Sequence, residues 1–116
     1  MSQVTIFHNP RCSKSRETLA LLTDKGIEPT IVEYLKNVPS KDELKAVISA
    51  LQISPRDLLR KKEAEYKTAG ADDLSLSDEA IIDIMLANPK LIERPIVVTG
   101  NKARIGRPPE SVLEIL

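Results

Sequence analysis

The sequence predicts an α/β fold in which helices pack on a mixed four-stranded sheet. A β-α-β unit comes first, because the short apolar runs VTIF (4–7) and TIVEYL (30–35) flank a segment with helical spacing. A helical middle follows. Two further short strands, IVVT (96–99) and KARI (102–105), then precede a C-terminal helix.

The first unit predicts two parallel strands. The turn HNPRC (8–12) leads from the first strand into a helix from about Ser13 to Lys25, where three leucines form an apolar stripe. Gly26 fits the position just after the end of this helix. Because one crossover helix joins the two strands, they are expected to run in the same direction.

Three serines mark helix starts in the middle of the chain. The predicted helices follow Ser40, follow Ser54 over RDLLRKKE (56–63), and follow Ser77 over DEAIIDIMLAN (78–88). Ser40 with Glu43 fits a capping box, and Ser54 is followed by a proline at the first helical position. Ser77 is a helix cap of the same kind.

The last part of the chain predicts a hairpin and a short helix. Gly100-Asn101 between the two strands indicates a type II′ turn if the glycine holds the first corner. Pro108 and Pro109 open a helix over SVLEIL (111–116). The complete order, β-α-β, helices, then β-β-α, is that of a thioredoxin-like fold. No linker or repeat divides the 116 residues, so we expect a single domain over residues 1–116.

Composition excludes several classes of function. Seventeen basic residues balance seventeen acidic ones, and aromatic residues make up 3% of the chain, so neither nucleic acid nor a membrane is an expected partner. One cysteine and one histidine allow no internal disulfide and no zinc site of the Cys/His kind, so no metal is expected. The N-terminus lacks the apolar core of a signal peptide. We expect a cytoplasmic monomer, since a reducing compartment suits an unpaired thiol.

Cys12 is the candidate nucleophile. It follows a strand and begins a helix, where free backbone N–H groups and a partial positive charge favour a thiolate and attract anions. Arg11, Lys14 and Arg16 add positive charge around it. A buried, inert cysteine is the alternative, but basic and hydroxyl residues flank Cys12 where a core position would have apolar neighbours.

The spacing around Cys12 limits its chemistry. Cys12 and Ser15 form C-x-x-S, so no second thiol can resolve a disulfide, and an external thiol such as glutathione is required. Thr18 stands where a phosphatase-type C-x5-R loop has arginine. Ser15 either caps the helix or donates to the thiolate. His8 is either a base or a supporting partner in the turn, and we favour the supporting role.

Three arginines near turns are candidate anion ligands: Arg60 in LLRKKE, Arg94 before Pro95, and Arg107 before Pro108. Arg94 and Arg107 lie just outside strands, at the sheet end expected to carry Cys12. A cis bond is a candidate at Arg94-Pro95. Guanidinium groups that converge on a thiolate would hold a tetrahedral oxyanion by bidentate contacts.

These segments together resemble the arsenate reductase family that works with glutathione and glutaredoxin. HNPRCSKSR, LLRKKE, ERPIVV and GRPPE…VLEIL match its pattern in order, over essentially the whole chain. The resemblance implies that Cys12 is the nucleophile. It also implies that three arginines bind the oxyanion and that two residues support the thiolate: Arg60, Arg94 and Arg107, and His8 and Ser15.

The resemblance implies an enzyme, an arsenate reductase with no bound cofactor. The Cys12 thiolate would attack arsenate, glutathione would reduce the adduct and release arsenite, and glutaredoxin would clear the Cys12–glutathione disulfide. One alternative is a glutathione-dependent thiol–disulfide oxidoreductase of the same fold. Another is a redox-related regulator that binds RNA polymerase, against which Ser15 argues because it removes the usual C-x-x-C switch.

Overall fold

A computed structural model describes residues 3–116; Met1 and Ser2, which the single-domain prediction includes, lie outside the described residues. The described residues divide into two compact units. Residues 38–93 form one unit, and the segments on either side of them form the other. The single domain over residues 1–116 therefore stays a prediction. No helix in the described part of the chain is long and apolar enough to cross a membrane.

The flanking segments form a four-stranded sheet. Its strands are β1 (Val4–Phe7), β2 (Thr30–Val32), β3 (Ile96–Thr99) and β4 (Lys102–Ile105). The order across the sheet is β2-β1-β3-β4. β1 and β2 run parallel, whereas β3 is antiparallel to both β1 and β4. The predicted mixed sheet, including the parallel first pair, is confirmed.

Helix α1 (Ser13–Asp24) and the 3₁₀ helix Pro109–Ile115 pack with this sheet. Four inaccessible side chains, one each from β1, α1, β3 and the 3₁₀ helix, make the centre of the core: Ile6, Leu22, Val97 and Val112. Burying such side chains contributes about 1.5–3 kcal/mol each. This packing fixes both β1 and α1, and with them the loop that joins the two.

Glycines end α1 and turn the hairpin as the sequence predicts. Gly26 has φ of 79° and follows Lys25, the C-cap of α1. Gly100 has φ of 58°, the sign that a type II′ turn requires at its first corner. Gln52 is the one non-glycine residue with positive φ among residues 3–116, so Asn101 has the negative φ of the second corner.

The second unit is helical. It contains α2 (Lys41–Leu51), α3 (Glu65–Thr68) and α4 (Asp78–Ala87), with 3₁₀ turns at Pro55–Leu58 and Pro89–Leu91. The predicted caps are present, because the hydroxyl oxygens of Ser40 and Ser77 accept from backbone N–H groups three residues later. The Lys41 ammonium lies 2.9 Å from both Glu79 and Asp83, which ties α2 to α4.

Two segments differ in part from the sequence predictions. β2 ends at Val32 instead of residue 35, since the N–H groups of Lys36 and Asn37 both donate to Glu33 O at 2.9 Å and close a turn. The C-terminal helix opens at Pro109, as the two prolines predict, but it is a 3₁₀ helix over Pro109–Ile115 rather than an α-helix.

The prediction of a helix over 56–63 is wrong. A 3₁₀ turn ends at Leu58, and extended Leu59 then forms an antiparallel bridge with Ile92. Leu59 and Ile92 are both buried. Their pairing within this unit therefore outweighs the helical propensity of RKKE (60–63). The sequence does not predict the short helix α3, because its four residues show no helical spacing of apolar side chains.

Candidate active site

The loop between β1 and α1 is held as a tight turn. The His8 N–H donates to Val32 O at 2.8 Å, which ties the start of the loop to β2. Asn9 organises the middle: its side-chain oxygen accepts from the Arg11 N–H and its carbonyl accepts from the Cys12 N–H, both at 3.0 Å. The loop therefore places Cys12 at the N-cap position of α1.

The surroundings of Cys12 favour its thiolate. Burial of the half-buried sulfur by itself raises the pKa of Cys12. This effect is outweighed by the backbone N–H of Ser15, by the positive charge of Arg94 and by the backbone N–H of Lys14. The net pKa of Cys12 lies below its usual value, in the direction expected at a helix N-terminus.

Arg107 also faces this sulfur. Its Nη2 atom lies 4.0 Å from Cys12 Sγ, and its Nε donates to Arg94 O at 2.9 Å. The guanidinium is thus held at one nitrogen while another lies by the thiol. The Arg94-Pro95 bond is cis, as the sequence suggested, and so is Arg107-Pro108. Cys12, Arg94 and Arg107 are brought together within one unit, where a tetrahedral anion can meet two guanidinium groups.

His8 and Ser15 form a buried pair behind the loop. His8 Nδ1 and Ser15 Oγ are 2.6 Å apart, and the Asn9 N–H donates to the same hydroxyl oxygen at 3.0 Å. Burial lowers the pKa of His8; the Arg16 charge acts in the same direction and Glu33 opposes it. The Ser15 hydroxyl oxygen is thus hydrogen-bonded to the imidazole and to the Asn9 N–H at the same time. The hydroxyl thus supports the loop, and the backbone N–H of Ser15 serves the thiolate.

Gly106 is a site residue that the sequence did not reveal. A Cβ atom at this position would lie 2.5 Å from Thr18 Oγ1 and 2.8 Å from Pro95 Cγ. Thr18 is fully buried, and the Gly106 N–H donates to Pro95 O at 2.9 Å. Glycine is therefore required where β4 leads into Arg107. Its position next to Arg107 is the one sequence signal that points to it. The steric reason for a glycine lies with Thr18, which is remote in the sequence.

Arg60 belongs to the other unit. Its Nη1 donates to Lys90 O at 3.2 Å, and its Nη2 lies 2.6 Å from Glu63 Oε1. These contacts fix the side chain within that unit, and its oxyanion role stays a prediction. No group of three His, Cys, Asp or Glu side chains that could hold a metal ion occurs in residues 3–116.

Known proteins are similar to this chain in both fold and sequence. An arsenate reductase from Vibrio cholerae superposes with a TM-score of 0.96 at 52% identity, over 99% of this chain and 98% of that one. The uncharacterized protein YfgD of Escherichia coli K12 is 56% identical over 115 residues, 98% of this chain and 97% of its own length. An arsenate reductase of Haemophilus influenzae is 51% identical over 114 residues, 97% of this chain and 98% of its own.

The fold of the structural relative confirms the thioredoxin-like α/β class. The sequence model of the ArsC family matches residues 7–115, which include the loop, Cys12, Arg94 and Arg107. With this match over nearly the whole chain, and identities above 50% to full-length relatives, the chain belongs to the ArsC family.

Proposed function

We propose that the protein is an arsenate reductase in which the Cys12 thiolate attacks arsenate and glutathione supplies the electrons. The observation that carries this proposal is the guanidinium of Arg107, 4.0 Å from a sulfur whose pKa is lowered. A stabilised thiolate beside an anchored guanidinium suits attack on a tetrahedral oxyanion. Membership of the ArsC family, and relatives named arsenate reductase, support arsenate as that anion.

Binding must overcome the repulsion between two negative groups, the thiolate and arsenate. The start of α1 offers backbone N–H groups, whose partial positive charge attracts anions. Arg107 and Arg94 add full charges at the same place. The Arg107 guanidinium is anchored on Arg94 O before substrate arrives, so it stabilises developing charge without reorganising.

The reaction then proceeds in two chemical steps. The Cys12 sulfur forms a bond to arsenic while an arsenic–oxygen bond breaks, and the departing oxygen leaves as water after protonation. Glutathione next forms a disulfide with Cys12, and the electron pair of the sulfur–arsenic bond stays on arsenic. As(V) becomes As(III) and leaves as arsenite. In total, arsenate and two thiols give arsenite, water and one mixed disulfide.

A second external thiol must regenerate Cys12. The sequence contains one cysteine, so the mixed disulfide cannot be resolved within the chain. We assign this step to glutaredoxin, whose thiol would attack the disulfide and release the Cys12 thiolate. The proposed partners are therefore arsenate, glutathione and glutaredoxin, and the proposed setting is a monomer in the reducing cytoplasm.

A coupled assay tests the proposal. NADPH consumption is followed with glutathione, glutathione reductase, glutaredoxin and arsenate, for the wild type, Cys12→Ser and Arg107→Ala. We expect the arsenate-dependent rate to vanish in Cys12→Ser and to fall about 10²-fold in Arg107→Ala. Arg104→Ala is the matched control, because that guanidinium pairs with Glu114 at 2.9 Å, and its rate is expected to stay unchanged.

The second candidate is a thiol–disulfide oxidoreductase acting on glutathionylated proteins. The lowered pKa of the single thiol favours it equally, because exchange needs a thiolate and an external thiol. The same assay separates the two candidates. If NADPH consumption requires a glutathionylated protein and does not depend on arsenate, the second candidate is correct and the reductase proposal is wrong.

A further inference from the structure

A groove of about 420 Å³ lies beside the catalytic loop. Residues 8–11 line one side, and Glu33, Leu35 and Lys36, in the segment that follows β2, line the other. The hydrogen bond from the His8 N–H to Val32 O, at 2.8 Å, joins the two sides where the groove begins. All of these residues belong to the unit that holds Cys12, and the loop side ends at Arg11, its immediate neighbour.

Three charged side chains on the groove are available to a ligand. Arg11 is exposed, and its guanidinium has no ion pair among residues 3–116. Lys36 and Glu33 are 3.9 Å apart and their side chains are 78% and 40% exposed, so their ion pair is loose and weak. Leu35, 39% exposed, adds an apolar surface. The groove thus offers two cations, one anion and an apolar contact.

We propose that this groove binds glutathione and presents its sulfur to Cys12. Glutathione carries two carboxylates, one ammonium group and a thiol between them, so its charges are complementary in number and sign to those of the groove. In this pairing Arg11 and Lys36 bind the carboxylates, and Glu33 binds the ammonium. The inference rests on the proposed function only in taking glutathione as the thiol that reacts at Cys12.

Reaction with glutathione disulfide reports on this site without arsenate. The Cys12 thiolate attacks one sulfur of the disulfide, a Cys12–glutathione bond forms, the original sulfur–sulfur bond breaks, and glutathione thiolate leaves. Bis(2-hydroxyethyl) disulfide undergoes the same exchange without any charge. The ratio of the two rate constants therefore measures recognition of the glutathione charges and cancels any change in thiol reactivity.

The test compares Lys36→Glu with Lys102→Glu, which makes the same charge change at an exposed site on β4 outside the groove. We expect the ratio to fall about three- to tenfold in Lys36→Glu, as the loss of one exposed charge contact and a new repulsion imply. The ratio should stay near the wild-type value in Lys102→Glu. Equal ratios in the two variants would overturn the proposal that this groove binds glutathione.

A binding measurement gives an independent readout. S-methylglutathione, which cannot exchange, is titrated into the Cys12→Ser variant while backbone amide shifts are followed by NMR. Shift changes concentrated at residues 8–11 and 33–36 support glutathione binding in the groove, and shift changes confined to other surfaces overturn the proposal. Failure of the proposed function looks different: arsenate reduction would be absent while the Lys36→Glu effect on the disulfide ratio remained.

Discussion

Arg107 Nη2 lies 4.0 Å from Cys12 Sγ, although the two residues are 95 positions apart in the chain. The register of the strands explains why these two residues lie close together. Ile96 at the start of β3 pairs with Phe7 at the end of β1 and with Ile105 at the end of β4. The segments before β3 and after β4 therefore reach the same edge of the sheet as the loop after β1, which places Arg94 and Arg107 at the thiol.

Replacing Arg94 is expected to raise the pKa of Cys12. The charge of Arg94 is among the causes that outweigh burial of this sulfur, so Arg94→Ala leaves less thiolate at neutral pH. The pH dependence of alkylation by iodoacetamide reports the change, and its midpoint should move upward. Arsenate turnover should fall about 10²-fold. An alkylation profile identical to that of Arg104→Ala would show that Arg94 does not act on the thiol.

Gly106→Ala is expected to lower both stability and turnover. The new methyl group meets Thr18 and Pro95, and such overpacking costs about 1–3 kcal/mol. Urea unfolding measures that loss. Because the following residue is Arg107, the arsenate-dependent rate should fall as well.

Two further variants separate crowding from other effects of the substitution. Thr18→Ala removes two of the three nearest atoms, so the double variant should recover part of the turnover lost in Gly106→Ala. Gly70→Ala adds a methyl group where nothing lies within 4 Å, although φ there is 78°. It should lose stability through backbone strain and keep its turnover. A double variant no better than Gly106→Ala would contradict the steric explanation.

His8 is expected to make stability depend on pH. Burial lowers its pKa in the folded protein, so the unfolded chain binds a proton more readily once the pH falls below about 6.5. The free energy of unfolding is therefore fully retained above that pH and declines as the pH drops towards the folded pKa. His8 is the one histidine in the chain. Urea midpoints measured between about pH 6.5 and 5.5 should slope less in His8→Asn than in the wild type; equal slopes would rule out His8 as the cause.

Arg60→Ala tests the arginine in the other unit. If Arg60 binds the oxyanion, the KM for arsenate should rise about tenfold or more, as loss of a charge-assisted contact implies. The Lys61→Ala variant removes a neighbouring charge and should leave KM unchanged. A variant with reduced thermal stability but an unaltered KM would limit Arg60 to its contacts with Lys90 and Glu63.

Local patterns in the sequence were sufficient to predict most of the sheet and the position of Cys12 at the start of a helix. The short apolar runs, the caps Ser40 and Ser77 and the Gly100 turn each act within a few residues, and the structure has the four strands, two capped helices and the hairpin turn at these places. Contacts between remote segments were not accessible in this way. The bridge between Leu59 and Ile92 ended a predicted helix, and the need for Gly106 arises from Thr18, 88 positions earlier.

A single-turnover experiment decides whether Cys12 reduces arsenate. The protein is mixed anaerobically with arsenate and glutathione, without glutaredoxin, and is then analysed by intact mass spectrometry and for released arsenite. We expect one arsenite per protein and a mass increase of one glutathionyl group, mapped to Cys12, with neither in Cys12→Ser. Glutathionylation at the same rate without arsenate, or arsenite released by Cys12→Ser, would contradict the account.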